Sequence, residues 1–214
     1  MATPALDTAI CYGRAVDVAD ADYGIIVDPN GHHAQYGSSK IAFIGPDYDG
    51  VNCLHLPGAA GNYGSVPDSA ALDIVGDIDL QCYCVLDDWT PAASTALIAK
   101  FQSFSQISYL LHIEAGRIKF LWSTDGNDYP SEFSDVAPGF TDGTAQWVRA
   151  TLDVDNGAGD AIVKFYTGGT GSTPSWSQLG SDQAVGSTTS IFASTSIVEF
   201  GSHRAGVAKH LSGR

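Results

Sequence analysis

No stretch of this chain carries an apolar pattern of helical period over a useful length. Its hydrophobic residues recur instead at every second position in short runs, the period of a strand with one buried face. Residues 78–86 show it best: Ile78, Leu80, Cys82, Cys84 and Leu86 share one face. Residues 107–113 and 117–122 read as a hairpin turning at Glu114-Ala115-Gly116, with Ile118, Phe120 and Trp122 alternating with Arg117, Lys119 and Leu121. A second hairpin pattern joins 146–153 to 161–166 through Asp155-Asn156-Gly157-Ala158-Gly159-Asp160. Further strands are expected at 41–44, 51–56, 97–101 and 197–201, with a single helical or 3-10 turn within 67–72. The 24 glycines and nine prolines are spread along the chain, as turns between many short strands require. The Gly-, Ser- and Thr-rich segment 167–190 reads as a long surface loop inside one domain, because strand-like Ile191, Phe192, Ile197, Val198 and Phe200 follow it at once. Together these patterns predict one all-β domain.

The length of 214 residues suits one large β-sandwich, and 44% hydrophobic against 16% charged residues excludes a disordered chain. The formal net charge of −14 repels phosphate backbones, so no nucleic-acid partner is expected, and anionic membranes are disfavoured. The acid is almost all Asp, with Glu114, Glu132 and Glu199 the three exceptions, and Asp favours turns where Glu favours helices. No apolar run reaches the length of about 18 residues that a membrane helix needs, and residues 1–12 lack the features of a signal peptide. Cys82 and Cys84 lie two apart on one strand face, an awkward spacing for a mutual disulfide. With Cys11 and Cys53 they read as buried free thiols, in keeping with assembly in a reducing cytoplasm.

Several segments resemble laminin-G-like jelly rolls of the concanavalin A kind. Asp28-Pro29-Asn30-Gly31-His32-His33-Ala34 is similar to their opening turn, and Pro46-Asp47-Tyr48-Asp49-Gly50-Val51-Asn52 to a following strand and turn. Val66-Pro67-Asp68-Ser69-Ala70-Ala71-Leu72-Asp73-Ile74 resembles the V-P-D-S-P-S-L-D-I segment. Residues 78–86 take the place of a core strand, and Gln146-Trp147-Val148-Arg149 matches another strand start. The order is kept over residues 25–205, which implies a two-sheet antiparallel jelly-roll sandwich. Leu56-Pro57-Gly58 and Leu86-Asp87-Asp88-Trp89-Thr90-Pro91 also resemble minor tail and other virion proteins of phages that infect actinobacteria. Family members finish with one more strand, which would begin about Leu211-Ser212-Gly213-Arg214. The reading therefore sets residues 1–24 apart as an N-terminal arm or first strand region. It takes 25–214 as a sandwich lacking its last strand, with an open edge for a partner chain or further polypeptide to cover.

The resemblance implies calcium as a candidate cofactor, since many relatives hold it on the sandwich rim. Two loops are rich in oxygen ligands: Asp125-Gly126-Asn127-Asp128, and Asp153, Asp155 and Asp160 about Asn156. The second fails the EF-hand pattern, since Gly157 holds the fifth position and Lys164 stands where that pattern has Glu, and a polar turn is the plainer account of each. For sugar binding, Trp89, Tyr129 and Trp176 fall in loops where a ring could stack on a sugar, with Asn127 as a hydroxyl partner; local packing is the alternative for each. Trp122 and Trp147 lie on strands and read as core or sheet surface. No G-x-S-x-G, P-loop or E-x-D-x-x-E pattern occurs, so no catalytic residue is expected. The sequence is thus read as a non-enzymatic virion module, tail-associated, binding host-surface carbohydrate and assembled with other virion subunits as a homo-oligomer. A structural capsid or head decoration protein is the alternative, and a glycan-active hydrolase stands third.

Overall fold

The computed structural model describes residues 51–170 and 173–214, with the backbone alone for residues 51–54 and for four earlier strands. In chain order the strands are β1 Arg14–Ala15, β2 Ile25–Val27, β3 Ala34–Tyr36, β4 Phe43–Tyr48, β5 Val51–Pro57, β6 Gly64–Val66, β7 Ile78–Val85, β8 Thr95–Phe101 and β9 Ile107–Glu114. They continue as β10 Arg117–Trp122, β11 Ser131–Phe133, β12 Ala145–Asp153, β13 Ile162–Thr167, β14 Ser177–Gln178, β15 Gln183–Ala184, β16 Val198–Phe200 and β17 Ser212–Gly213. The opening turn at 28–31, His32, His33 and Cys11 lie outside the described residues, as does the side chain of Cys53.

One sheet has nine strands in the order β1-β2-β3-β6-β16-β8-β9-β10-β11, and a second runs β14-β13-β12-β7, with β15 also on β13. All the pairings are antiparallel. Period-2 alternation explains how the sheets meet. On β7, Ile78, Leu80 and Cys84 are buried; on β12, Val148, Ala150 and Leu152; on β13, Val163 and Phe165. They pack against Leu111, Ile113, Ile118, Phe120 and Trp122 of the nine-stranded sheet in one apolar core. Each large side chain so buried contributes about 1.5–3 kcal/mol. The fold is an all-β, two-sheet sandwich of jelly-roll type.

Both hairpins read from the sequence are present. The first pairs Glu114 with Arg117, and its two turn residues, Ala115 and Gly116, have φ of 50° and 72°. Two successive positive φ values give the turn whose twist matches paired strands. The turn expected within 67–72 is a 3-10 turn at Ala70–Leu72. Cys82 and Cys84 are free, Cys84 buried and Cys82 half-buried.

Residues 212–214 are paired. Ser212 and Gly213 bond along Pro57 and Leu56 of β5, Gly213 also bridges Leu86, and Arg214 exchanges both backbone hydrogen bonds with Val85. Strand β17 thereby joins the β4–β5 ribbon to the second sheet. Gly213 has φ 146°, and a Cβ there would lie 1.9 Å from the Val85 carbonyl oxygen, so no other residue fits.

Two buried charges were not expected. Lys100 lies on β8 with no exposed surface, and its Nζ donates to Asp68 Oδ1 at 2.5 Å and to the carbonyls of Ser194 and Ser196 at 2.6 and 3.0 Å. Asp73 completes an ion pair at 3.3 Å. Glu199 on β16, equally buried, accepts from Ser202 Oγ and from the backbone N–H groups of Ala205 and Gly206 at 2.7–2.9 Å.

Candidate functional site

The outer face of the nine-stranded sheet carries a cleft of about 290 Å3. Its floor is the alternate set of β9 and β10: Leu110, His112 and Glu114, with Lys119 and Leu121 opposite. Phe101 from β8, Phe104 and Tyr129 from two loops, and His203, Arg204 and Lys209 from the C-terminal loop make the walls. Phe104 and Tyr129 are 68% and 46% exposed, and the Tyr129 ring centroid lies 6.1 Å from that of Phe101.

The loops are held by local chemistry. Ser123 Oγ donates to the Asp128 carbonyl at 2.6 Å and accepts the Gly126 N–H at 2.8 Å, while Asp125 Oδ1 accepts the N–H groups of Asn127 and Asp128. Gly126, at φ 86°, lies so close to the Ser105 carbonyl that a Cβ would come within 2.8 Å of its oxygen. This contact fixes the loop bearing Tyr129 against the loop bearing Phe104. The C-terminal loop has positive φ at Arg204 (63°) and Ala205 (55°), conformations costing about 1–3 kcal/mol each. The buried Glu199 carboxylate holds the Ala205 and Gly206 amides, and the Phe101 carbonyl holds the Arg204 amide at 2.9 Å, so the surroundings impose this backbone.

Glu114 is the electrostatic hub. Its carboxylate meets His112 Nε2 at 3.1 Å, Lys119 Nζ at 3.2 Å and Lys209 Nζ at 3.8 Å. Burial pulls its pKa upward, but the His112 and Lys119 hydrogen bonds win and hold it below its usual value. Burial, aided by Lys209, drives His112 down to about 3, so its ring is neutral near neutral pH. Nε2 then donates to Glu114, and the buried Nδ1 is an acceptor without a hydrogen-bond partner. Burial likewise lowers Lys209. Among the described residues of the lining, Glu114 is the one carboxylate.

Of the four residues expected to bind a ligand, Tyr129 lines this cleft and Asn127 is exposed two positions before it. Trp89 is a correction. Only 2% exposed, it packs edge-on against Phe140, and its indole N–H donates to the Thr144 carbonyl, so no ligand reaches its face. Asp88 Oδ1 caps the local turn by accepting the Thr90 N–H, and Asp142 Oδ1, 53 residues away, accepts the Trp89 backbone N–H. Trp176 is half-buried on the other sheet, edge-on to Trp147 at 5.9 Å; Trp147 in turn lies 5.1 Å from Tyr83, whose hydroxyl bonds the Thr170 carbonyl. Arg149, bidentate to Asp79, sits over Tyr166 and Trp176. That cluster packs the segment around residue 170 onto its sheet, the packing alternative for Trp176.

Three of the five aspartates named for calcium, Asp125, Asp153 and Asp155, serve as turn acceptors. Asp153 Oδ1 accepts the Asp155 N–H, Asp155 Oδ1 the Gly157 N–H, and Asn156 Oδ1 the N–H groups of Ala158 and Asp160. Asp125 Oδ1 is taken in the same way, and its backbone partners hold its carboxyl below the usual range. Among the described residues no three His, Cys, Asp or Glu side chains gather where they could hold a metal ion. This arrangement does not fit calcium, whose sites converge several oxygens on one point. Millimolar calcium or a chelator is therefore expected to leave the thermal midpoint within about 1 °C, whereas ligation at a hundred times Kd would add about 2.7 kcal/mol.

Phe104, Glu114, Arg204 and Lys209 went unread in the sequence. A lone exposed Phe and scattered charges have no periodic signature, and only sheet order brings positions 104 to 209 together.

An all-β, two-sheet sandwich of jelly-roll type is the class that this architecture defines. No family model matches the chain, and no curated protein matches it. Among solved structures it is similar to the botulinum neurotoxin serotype D ligand binding domain in complex with N-acetylneuraminic acid, with a TM-score of 0.58 and 16% identity over 82% of this chain and 40% of that one. It is also similar to the binding domain of Paraclostridial Mosquitocidal Protein 1, with a TM-score of 0.58 and 10% identity over 88% of this chain and 43% of the other. The chain thus spans about two fifths of the length of these structures, and at such identities the likeness concerns the fold.

Proposed function

We propose that this chain is a non-catalytic carbohydrate-binding module whose outer-sheet cleft takes one sugar unit. The observation that carries the reading is the pair of exposed rings, Phe104 and Tyr129, lining the same cleft as hydrogen-bonding Glu114 and Lys119. A sugar presents an apolar C–H face and a rim of hydroxyls, and this cleft offers aromatic surface and charged donors and acceptors side by side. The neighbouring folds named as binding domains, one with a bound sugar acid, support the same class. Catalysis is not supported by the lining: glycoside hydrolysis uses two carboxylates across the bond, and a histidine held near 3 makes a poor acid or base at neutral pH.

The setting we propose is a virion, tail-associated, with the cleft facing the host surface and other subunits as neighbours. The sequence resemblance alone supports that setting. Light scattering of the purified chain tests the accompanying homo-oligomer.

A glycan array probed with the intact chain, followed by calorimetry on the best binder, tests the cleft. Phe104→Ala and Tyr129→Ala each remove an exposed ring and should leave the fold intact. Each is expected to weaken binding by about tenfold, roughly 1.4 kcal/mol. An array that retains nothing, or variants that bind as well as the parent, would overturn the reading.

A further inference from the structure

The cleft differs in charge from the molecule around it. The chain carries −14 overall with ten Lys and Arg residues, yet among the described lining residues Lys119, Arg204 and Lys209 face Glu114 as the one carboxylate. We propose that the cleft selects a sugar bearing a carboxylate, a uronic or sialic type of acid; this deepens the carbohydrate-binding reading above and rests on it.

Two features of the structure support this selection. First, the cations outnumber what Glu114 neutralises. Lys119 pairs with it at 3.2 Å and Lys209 more loosely at 3.8 Å, while Arg204 is exposed at the wall with its side chain directed by an imposed backbone. A left-handed conformation at Arg204 and Ala205, held by the buried Glu199, is a costly way to place a guanidinium unless that group has a task. The planar guanidinium fork matches a carboxylate in two parallel hydrogen bonds. Second, Lys209 is partly withdrawn from water between Ser94 and Glu114, and an ammonium so placed gains from a second anion. Phe104 and Tyr129 supply the exposed apolar surface for the ring face. A cleft of about 290 Å3 has room for one such unit.

Two ligand pairs, each an acid and a neutral counterpart altered at the carboxylate position, form the test. Methyl glucuronide is titrated against methyl glucoside, and the methyl glycoside of N-acetylneuraminic acid against its methyl ester, all with the full chain at low salt. In at least one pair the acid should bind about tenfold more tightly, with the gap narrowing as salt rises. Arg204→Gln and Lys209→Gln should each reduce the acid-to-neutral ratio, while Tyr129→Ala weakens both members alike. Equal binding within both pairs overturns the acid selectivity and leaves the carbohydrate reading standing. Binding of none of the four overturns both. A glucoside 6-sulfate that binds as tightly as the better acid overturns the carboxylate assignment in favour of any anion.

Discussion

Replacing Lys100 by methionine is expected to destabilise the fold by about 3–5 kcal/mol, read as a lower urea midpoint at unchanged slope. Methionine matches the stem of the side chain, so little packing volume is lost and the effect isolates the ammonium. Lys100 Nζ joins three separate pieces of chain: the turn region through Asp68 and Asp73, the carbonyls of Ser194 and Ser196, and its own strand. Asp68 and Asp73 are 29% and 33% exposed and can be rehydrated when the cation leaves. Ser194 and Ser196 are buried, and their carbonyls cannot be rehydrated without opening the segment that leads into β16. Asp68→Asn is the control. It keeps an acceptor and leaves Asp73 in place, so a loss of about 1 kcal/mol is expected. A Lys100→Met loss no larger than that of Asp68→Asn would mean that the ammonium is dispensable.

The second large effect concerns pH. His112 and His203 are both buried and both held neutral, at about 3 and about 4 against an ordinary 6.5. Burial is the main cause for each. Around His112, Lys209 and Lys119 reinforce it and Glu114 opposes it; around His203, Lys209, Arg204 and His210 reinforce it, while the Ala208 carbonyl opposes it. The unfolded chain takes up both protons near 6.5, and the folded chain does not until far lower. Stability is therefore full above 6.5 and is lost as pH falls toward 4 and then 3. Between pH 6.5 and 5 the two histidines together should cost about 3 kcal/mol. Glu199 has the opposite sign: burial raises its pKa, so its share is lost as pH rises through that raised value. Urea titrations at several pH values measure the slope. Imidazole NMR resonances that move between pH 7.5 and 5 for His112 or His203 would contradict the assignment. Acid would also loosen the cleft, since both rings line it.

Much of the architecture was legible in the residues because it is local. The 78–86 alternation, the Ala115-Gly116 turn and the Asp- and Gly-rich loop at 153–160 act within a few positions, and each sits where the pattern places it. The site was legible in one residue. Tyr129 follows a turn built by Asp125 and Ser123, and a loop aromatic beside such a turn is a fair candidate. Trp89 has the same sequence appearance, yet it is buried, because Phe140 and the Thr144 carbonyl arrive from more than fifty residues away. Lys100 shows the reverse case, a charge that alternation alone would turn to solvent and that distant carbonyls draw inside.

What the sequence by itself determined is an antiparallel all-β chain, with its strands and hairpins, since period-2 burial and turn chemistry are short-range constraints. The tertiary structure decided which face of which sheet became a cleft, which cations stand in it, and how residues 212–214 close the gap beside β7. Those outcomes depend on contacts between segments a hundred or more residues apart. Only the packing of one sheet on the other, and of the C-terminal loop on the first, sets them.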